Sequence, residues 1–252
     1  MIIRSTAAIL AAVLCCAGIG SAAQPVVFVD GNLVLTSLIS LSDAHMQATL
    51  ERLEGIAATP EARAGNWAQL RAMLAEMGHA DTFTGPYYAQ ATGAYWTLDK
   101  GFQTTNVADR PYFKRAQAGL TTIGDLLVSR STSKEIAVIT APIRNNGHFV
   151  GLVGVSVYLD VLSTMLTQET GIGGGTVYWA VDSHGIIALH SDTSNIFVDP
   201  AKLSPELKRV TAEMLAGKRG VETYTYRGKK RTIVYGKSNL TGWTFGFGIV
   251  HS

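Results

Sequence analysis

The first strong pattern along the chain is a helical recurrence of apolar residues between Asn32 and Ile56. Acidic and amide side chains fill the positions between them. Spacings of three, four and eight residues place apolar side chains on one face of a helix of about six turns. Pro60 and Gly65 are expected to break this helix. Its predicted apolar face consists of Leu38, Met46, Leu50, Leu53 and either Ile56 or Ala57.

A second, shorter helix is predicted over residues 67–77. Asn66 precedes it, and an asparagine side chain at that position accepts hydrogen bonds from the free backbone N–H groups of the first turn. Gly78 is expected to end the helix, because glycine readily adopts the left-handed conformation that closes many helices. The sequence therefore predicts an N-terminal helical segment over residues 32–78.

Beyond residue 78 the pattern changes to short segments rich in β-branched and aromatic residues, which is typical of strands. Turn sequences such as Asn145-Asn146-Gly147 separate several of them, and these residues tolerate the positive φ of tight hairpins. Hairpins predict antiparallel sheets, and no strand–helix alternation typical of a parallel sheet is visible. The predicted strands are 94–98, 136–143, 149–158, 176–181, 186–190, 222–226, 231–237 and 243–250.

A weak internal repeat divides this region into two. Tyr95-Trp96 recurs as Tyr178-Trp179, and each pair leads to a predicted helix that ends in Ala-Gly and then to hairpin-linked strands. The predicted fold is α+β, with a long N-terminal helix carrying two antiparallel-sheet modules in tandem. The glycine-rich stretch 171–175 is interpreted as their linker. It does not suit a phosphate-binding loop, because no strand-to-helix switch surrounds it.

The N-terminal residues 1–23 are typical of a secretory signal peptide. Arg4 precedes an uncharged apolar run of about 13 residues, which is short of the roughly 20 that a membrane-spanning helix needs. Small residues before Gln24 predict cleavage there, and an uncleaved inner-membrane anchor is the alternative. Cys15 and Cys16 lie inside this segment without the small preceding residue of a lipoprotein signal, so lipidation is not expected.

Composition removes several functional classes from the remaining chain. Without its first 23 residues the chain has no cysteine, which excludes disulfides, thiol catalysis and cysteine-ligated metals. Of the 21 basic residues only Arg4 is lost, so 20 remain against 19 acidic residues. Such a balance does not favour nucleic acid as a partner. The length is sufficient for one large or two small domains with real cores.

The stretch NVADRPYFKRAQAG, residues 106–119, carries the densest candidate chemistry. Its charged and aromatic residues are consistent with three interpretations: a catalytic site, a pocket for a small anion, or a solvated helix start. Asp109 is a good capping residue and Pro111 suits a first helical turn. A helix N-terminus itself favours anions, so the last two readings are compatible. Lys114 and Arg115 are assigned to solvent.

In order along the chain, YWTLDKG, DRPYFKRAQAG, GDLLVSRSTSK, IAVITAPIRNNGHFVGLVGVSVYLDVL and GWTFGFGIV resemble the double Cache sensor domain, a PAS-like extracellular module. The order of these motifs is similar to that of the sensor half of dicarboxylate-sensing histidine kinases. The resemblance covers roughly residues 32–250. It implies a membrane-distal-type module over residues 79–170, which holds the ligand, and a second Cache-like module over residues 171–252.

Carried over residue by residue, the resemblance implies a pocket between the first sheet and the loop that carries Arg-x-Tyr. Arg110 would pair with a carboxylate, since a guanidinium matches it well. Tyr95 would form the floor of the pocket. The implied ligand-binding residues are Arg110, Tyr112, Tyr95, Ser129, Ser131 and Thr132.

The same comparison favours a small mono- or dicarboxylate over an amino acid. Relatives that bind amino acids commonly have a tryptophan before the tyrosine and, further on, an aspartate that holds the ammonium group. Here those positions are Pro111 and Ser129. Without a carboxylate an ammonium group would be buried unpaired, at a cost of several kcal/mol. Asp125 would restore the amino-acid interpretation if the alignment shifts by a few positions.

The resemblance also implies a partner. Double Cache domains normally sit between two membrane-spanning helices and feed a kinase, a cyclase or a chemotaxis signalling helix. The sequence shows no second spanning stretch and no effector, so we expect a free-standing periplasmic or secreted module. It would take part in signal transduction or chemotaxis through a separate membrane-bound partner, and a homodimer through the long helix is a further expectation.

Two competing classes are an enzyme and a structural or partner-binding module without a small ligand. Motifs of serine hydrolases, zinc proteases and nucleotide hydrolases are missing, so enzyme activity and cofactors are not expected. Four residues flank one predicted hairpin but need not converge on an ion, so no metal is expected either. They are Asp182, His184, His190 and Asp192, and the other histidines (His45, His79, His148 and His251) are assigned to the surface.

Overall fold

The computed structural model of the chain describes residues 30–80 and 82–251. The predicted signal segment, residues 1–23, lies outside these ranges. Among the described residues, no helix has both the length and the apolar character needed to cross a membrane.

Six helices and eleven strands follow one another along the described chain. The helices are α1 (Gly31–Ala57), α2 (Pro60–Arg63), α3 (Trp67–Ala80), α4 (Pro111–Gln117), α5 (Leu159–Thr170) and α6 (Pro205–Ala216). The strands are β1 (Thr84–Gln90), β2 (Ala94–Thr97), β3 (Gly101–Asn106), β4 (Thr122–Val128), β5 (Glu135–Asn145), β6 (His148–Tyr158), β7 (Thr176–Val181), β8 (Ile187–His190), β9 (Arg219–Tyr226), β10 (Lys229–Lys237) and β11 (Thr244–Val250).

The long helix α1 is the element that both sheets share. Asp30 caps it, and its side chain accepts a hydrogen bond of 2.9 Å from the backbone N–H of Asn32. The apolar face predicted from the sequence is buried, including Leu38, Met46 and Leu53 with no exposed surface. This face packs on β5 and β6 of one sheet and on β10 and β11 of the other.

The first sheet has six antiparallel strands in the order β3-β2-β1-β6-β5-β4. Side chains alternate between its two faces, because successive residues of a strand point to opposite sides. Tyr88 therefore belongs to the core under α1, whereas its neighbour Tyr87 belongs to a separate cluster under α4. The first sheet is thus covered by α1 and α3 on one face and by α4 on the other.

The second sheet repeats this arrangement with five strands in the order β8-β7-β11-β10-β9. Its helix α6 covers the face opposite α1, as α4 does in the first sheet. The predicted α+β fold with two antiparallel sheets carried on a long helix is confirmed.

The sequence register of the internal repeat is wrong. Tyr95-Trp96 lies on β2, but Tyr178-Trp179 lies on β7, which occupies the place of β1 in its sheet. The true counterpart of Tyr178-Trp179 is the strand that carries Tyr87 and Tyr88. The shared Tyr-Trp dipeptide therefore does not mark equivalent strands. The predicted order, a helix followed by hairpin-linked strands, is present in both halves, with α4 before β4–β6 and α6 before β9–β11.

Other local predictions also need correction. Helix α3 does not end at Gly78 but continues to Ala80, because Gly78 keeps helical backbone angles and does not adopt a positive φ. The sequence pattern also missed α5 and the strands β1, β3 and β4. Strand β1 was not predicted because it contains Pro86, and proline is rare inside sheets. Pro86 lies where β1 pairs with β6 but not with β2, so its missing N–H removes no hydrogen bond to β2.

Two polar contacts fix the second sheet to its neighbours. Trp243 donates a buried hydrogen bond of 3.0 Å from its indole N–H to the carbonyl of Gly124 on β4. Ser238 donates a hydrogen bond of 2.7 Å to the carboxylate of Asp43 on α1. Burial raises the pKa of Asp43, and the bond from Ser238 opposes that rise. These contacts link the first sheet and α1 to the loop before β11.

Replacing Leu38 with alanine tests the role of α1 as the common core element. Leu38 has no exposed surface, so we expect L38A to lower the free energy of unfolding by about 2–5 kcal/mol. Leu33, on the same helix, is 64% exposed, and L33A should change it by less than about 0.5 kcal/mol. Urea denaturation of both variants measures the difference. Equal losses would contradict the burial of this face.

Candidate ligand-binding site

A small cavity lies between the α4 face of the first sheet and the loop that precedes α4. Its volume is about 30 Å³. Hydroxyl and guanidinium groups line it together with a few aliphatic side chains. The polar lining residues are Tyr87, Tyr95, Thr97, Arg110, Tyr112, Ser129, Arg130, Ser131 and Ser156.

Helix α4 begins at Pro111, as the sequence predicts, but Asp109 does not cap it. Arg110 occupies the N-cap position, with extended backbone angles and no capping hydrogen bond from its side chain. Asp109 is instead held by Arg130, with hydrogen bonds of 2.7 and 2.6 Å to the two carboxylate oxygens. The cap prediction is wrong because this bidentate pairing engages the Asp109 carboxylate.

Arg110 brings a positive charge to the wall of the cavity. Its Nη2 donates a hydrogen bond of 2.9 Å to the carbonyl of Val128 at the end of β4. Its Nε is buried and has no hydrogen-bond partner among the described residues. No described carboxylate forms an ion pair with it, so this guanidinium keeps both its charge and one unused donor.

Three tyrosine rings form the apolar wall next to Arg110. Tyr87 meets Tyr95 and Tyr112 edge to face, with ring centroids 6.4 Å apart in both pairs. Burial raises the pKa of Tyr87 well above its usual value and raises that of Tyr112 to about 12. The hydroxyls of Tyr87 and Tyr112 are therefore protonated near neutral pH. The Tyr95 hydroxyl bonds Thr105 at 3.0 Å. The buried Tyr87 hydroxyl interacts with that of Tyr112, which adds to the rise in its pKa, but it makes no hydrogen bond of standard length and angle among the described residues.

The turn between β4 and β5 closes one side of the cavity. The hydroxyls of Ser129 and Ser131 lie 3.2 Å apart, and the backbone N–H of Thr132 donates to the Ser129 hydroxyl at 3.3 Å. Thr132 does not line the cavity. It lines a neighbouring groove of about 580 Å³ between α3 and the sheet, and Thr97, Ser131 and Ser156 line both spaces.

The pairing with Asp109 neutralises the second arginine of the cavity, Arg130. The hydrogen bonds from Arg130 lower the pKa of Asp109 to about 2 and raise the pKa of Arg130. The Arg130 side chain comes from the turn that follows β4. It lines the cavity, but it forms an ion pair with Asp109, whereas Arg110 forms no ion pair with any described residue.

A second ion pair near the cavity, between Arg115 and Asp125, corrects two assignments made from the sequence. Arg115, which was assigned to solvent, contacts the carboxylate of Asp125 and donates to the Thr122 hydroxyl at 3.1 Å. Asp125 is therefore held by Arg115 and does not line the cavity. No aspartate or glutamate is present in the cavity lining.

The groups weighed as metal ligands are spread along the second sheet. His184 pairs with Asp182 at 3.2 Å in the β7–β8 turn, whereas His190 accepts a hydrogen bond from the backbone of Asp192. No group of three or more histidine, cysteine or acidic side chains is arranged to hold a metal within residues 30–80 and 82–251. His45 is partly exposed, bonds Glu169 at 3.0 Å and packs edge to face against Phe83.

The structure brings together five of the six predicted site residues: Arg110, Tyr112, Tyr95, Ser129 and Ser131. Sequence reasoning missed Tyr87 and Ser156, whose strands meet side by side in the sheet. Tyr87 lies on the unrecognised strand β1, one residue after Pro86. The signal that would have found it is the adjacent pair Tyr87-Tyr88, which must place one ring on each face of any strand.

Comparison with known proteins places this architecture in a family. The family model described as Cache domain matches residues 31–252. No curated protein sequence matches the chain. Among solved structures, the extracellular domain of a predicted histidine kinase, rpHK1S-Z16, superposes with a TM-score of 0.74 at 16% identity, covering 87% of this chain and 92% of that one.

Two chemoreceptor domains show the same fold. The ligand-binding domain of PctB from Pseudomonas aeruginosa PAO1, in complex with L-Arg, has a TM-score of 0.68 at 19% identity, covering 87% of this chain and 92% of that one. The ligand-binding domain of CtaA from Pseudomonas fluorescens, in complex with L-alanine, has a TM-score of 0.65 at 18% identity, covering 88% and 94%. The double Cache resemblance found in the sequence is confirmed, and the chain belongs to the Cache-domain family.

Proposed function

We propose that the protein is a periplasmic sensor module that binds a small mono- or dicarboxylate in the cavity of its first sheet. The observation that carries the proposal is the buried, unpartnered Nε of Arg110. A buried donor without a partner costs about 1–3 kcal/mol, and more when it is charged. A carboxylate oxygen would remove this cost with a charge-assisted bond.

The surrounding groups support an anion of small size. The Tyr87 hydroxyl offers a second buried and unused donor, and no carboxylate lines the cavity. A cavity of about 30 Å³ holds roughly two water-sized groups, which suits the head group of a carboxylate. Because Ser131 and Ser156 also line the adjacent groove, a longer carbon chain would extend towards it.

An amino acid is the second candidate ligand, since PctB and CtaA are complexed with amino acids. Asp125 would have to hold the ammonium group, but Arg115 already occupies its carboxylate. Asp109 is likewise held by Arg130. An ammonium group would therefore enter the cavity without an anion to balance it, so we favour the carboxylate.

Signalling would pass through a separate membrane-bound partner, in either signal transduction or chemotaxis. We propose binding and not catalysis, with export by the N-terminal segment or anchoring by it as the alternative. A homodimer through α1 has less support. Leu33 is the only exposed large hydrophobic residue of that helix in the described chain, and the rest of its apolar face packs on its own sheets.

Replacing Arg110 with methionine tests the site directly. R110M keeps an unbranched side chain but removes the charged donors, so carboxylate affinity should fall by roughly tenfold or more. Thermal shift and calorimetric titration with formate, acetate, succinate and L-alanine measure it. A ligand at 100 times its dissociation constant adds about 2.7 kcal/mol to stability, which gives a shift of a few degrees.

The matched control is R115M, which loses its bonds to Asp125 and Thr122 but removes nothing from the cavity. It should bind the same ligand as tightly as the unmodified protein. Equal binding by R110M and the unmodified protein would show that the cavity is misassigned. A response to L-alanine but not to acetate would favour the amino-acid alternative.

Replacing Tyr87 with phenylalanine separates binding from stability. Because the Tyr87 hydroxyl is buried without a partner, Y87F should not lower the free energy of unfolding without ligand. It should weaken carboxylate binding by about 0.5–1.5 kcal/mol. Y88F, which changes the neighbouring ring on the α1 face, should leave affinity unchanged. Melting curves with and without acetate measure both effects, and a ligand affinity unaffected by Y87F would contradict the role of this donor.

The Asp109–Arg130 pair should give a defined pH dependence. Asp109 has a pKa of about 2 in the folded protein against an ordinary 3.8. Its stabilising contribution is therefore fully present above pH 3.8 and is lost as pH falls towards about 2. D109N should melt below the unmodified protein at neutral pH, and this small difference should shrink below pH 3.8. A pH-independent difference would argue against the ion pair as its cause.

A further inference from the structure

The second sheet contains a cavity in the place that corresponds to the proposed ligand site of the first. It lies on the face under α6 and has a volume of about 30 Å³. Side chains from β7, β8, β9 and β10 line it, which are the counterparts of β1, β2, β4 and β5. The two modules therefore enclose similar spaces at equivalent positions.

Cross-strand pairing brings four polar side chains to this second cavity. Trp179 lies directly opposite His190, and Tyr224 lies directly opposite Arg231. Gly246 on β11 lies directly opposite Trp179 and has no side chain of its own. A Cβ there would lie 3.4 Å from the indole nitrogen of Trp179. In the first module Gly154 on β6 likewise lies directly opposite Tyr87.

Two of these side chains hold buried donors without partners. The indole Nε1 of Trp179 and the Nε of Arg231 make no hydrogen bond with any described residue. Burial raises the pKa of Tyr224, and the nearby Arg231 and Trp179 oppose that rise. The Tyr224 hydroxyl thus interacts with both Arg231 and Trp179, but the Arg231 Nε and the Trp179 Nε1 make no hydrogen bond of standard length and angle. In each module an aromatic residue of the first strand and an arginine provide the orphaned polar atoms.

The charge of Arg231 is also unbalanced. Its guanidinium lies 5.2 Å from the ring centroid of Tyr226, and it forms no ion pair within the described part of the chain. No aspartate or glutamate lines the cavity. Unlike Arg110, which enters from a loop, Arg231 enters from a strand, so the sequence motif of the first site does not detect it.

His190 adds an uncharged N–H group to the cavity wall. Its Nδ1 accepts a hydrogen bond of 2.8 Å from the backbone N–H of Asp192, so the proton of the neutral ring is on Nε2. Burial lowers the pKa of His190 to about 4, and the ring is therefore neutral near pH 7. A neutral N–H group serves an acceptor ligand without adding a second charge.

We propose that this cavity of the second module, lined by Trp179, His190, Tyr224 and Arg231, is a second and independent binding site for a small carboxylate such as formate or acetate. One positive charge and several N–H and O–H donors match a compact anion, whereas an ammonium group would find no carboxylate. The proposal goes beyond the proposed function, which concerns the first module alone. An ordered water would satisfy the same donors, and the test must separate the two.

The indole N–H resonances of the purified chain report directly on this site. The chain has four tryptophans, and W179F identifies the Trp179 signal in a ¹H–¹⁵N spectrum. Titration with formate and with acetate should shift this signal and reach saturation. Acetamide, which has the shape of acetate without its charge, should not shift it. This ligand comparison needs no variant of the cavity to fold.

Variants then test whether Arg231 supplies the positive charge that binds the anion. R231M should weaken the acetate response of Trp179 by roughly tenfold or more. R227M is the matched control, because Arg227 also lies 5.2 Å from the Tyr226 ring centroid but does not line the cavity. R227M should titrate as the unmodified protein does. R110M should also leave the Trp179 response intact, even if the first site is lost.

Three results would overturn the proposal. A Trp179 signal that millimolar formate and acetate leave unmoved would mean that water alone satisfies these donors. An equal response to acetamide would exclude anion recognition. Loss of the response in R110M would show that Trp179 senses the first site from a distance. If R110M removes binding in the first module while the Trp179 signal still responds to acetate, the two cavities bind carboxylates independently.

Discussion

Burial of one face of α1 against two sheets is the constraint on which the rest of the molecule depends. A single apolar face packs on β5 and β6 and on β10 and β11, so one continuous core holds both modules. The opposite face of each sheet is covered by its own helix, α4 in the first sheet and α6 in the second. The two small cavities lie on those outer faces, where ligands and donors can be varied without disturbing the common core.

Charge compensation decides which arginine of the first module is available. Asp109 neutralises Arg130 and Asp125 neutralises Arg115, whereas Arg110 has no described acidic partner. Holding these two carboxylates also removes the anions that an ammonium group would need. The same packing that leaves a guanidinium unpaired therefore sets the expected ligand class. A structure that kept unpaired buried donors without a ligand would carry their desolvation cost for no gain.

Several features of the fold and the site could be predicted from the chain itself. Helix α1 follows from apolar spacing alone, because a long amphipathic face specifies its own secondary structure and its buried side. Hairpin turns such as Asn145-Asn146-Gly147 identified β5 and β6. The family resemblance carried by Arg110-Pro111-Tyr112 implied a pocket beside the loop before α4, and five of the six residues that it implied line the first cavity.

What depends on contacts between distant residues required the tertiary structure. Two ion pairs, Asp125 with Arg115 and Asp109 with Arg130, join side chains from different elements. The local sequence pattern does not specify such contacts, because they depend on how the elements pack. Strand β1 was not predicted because it contains Pro86. A proline is tolerated in a strand only where its missing N–H removes no hydrogen bond, and that depends on which neighbouring strand pairs at its position. The sequence by itself determined the long helix, the two sheets and one candidate site. Only folding decided which charges remain unpaired and that a second cavity with orphaned donors exists, because both depend on strand register and on burial.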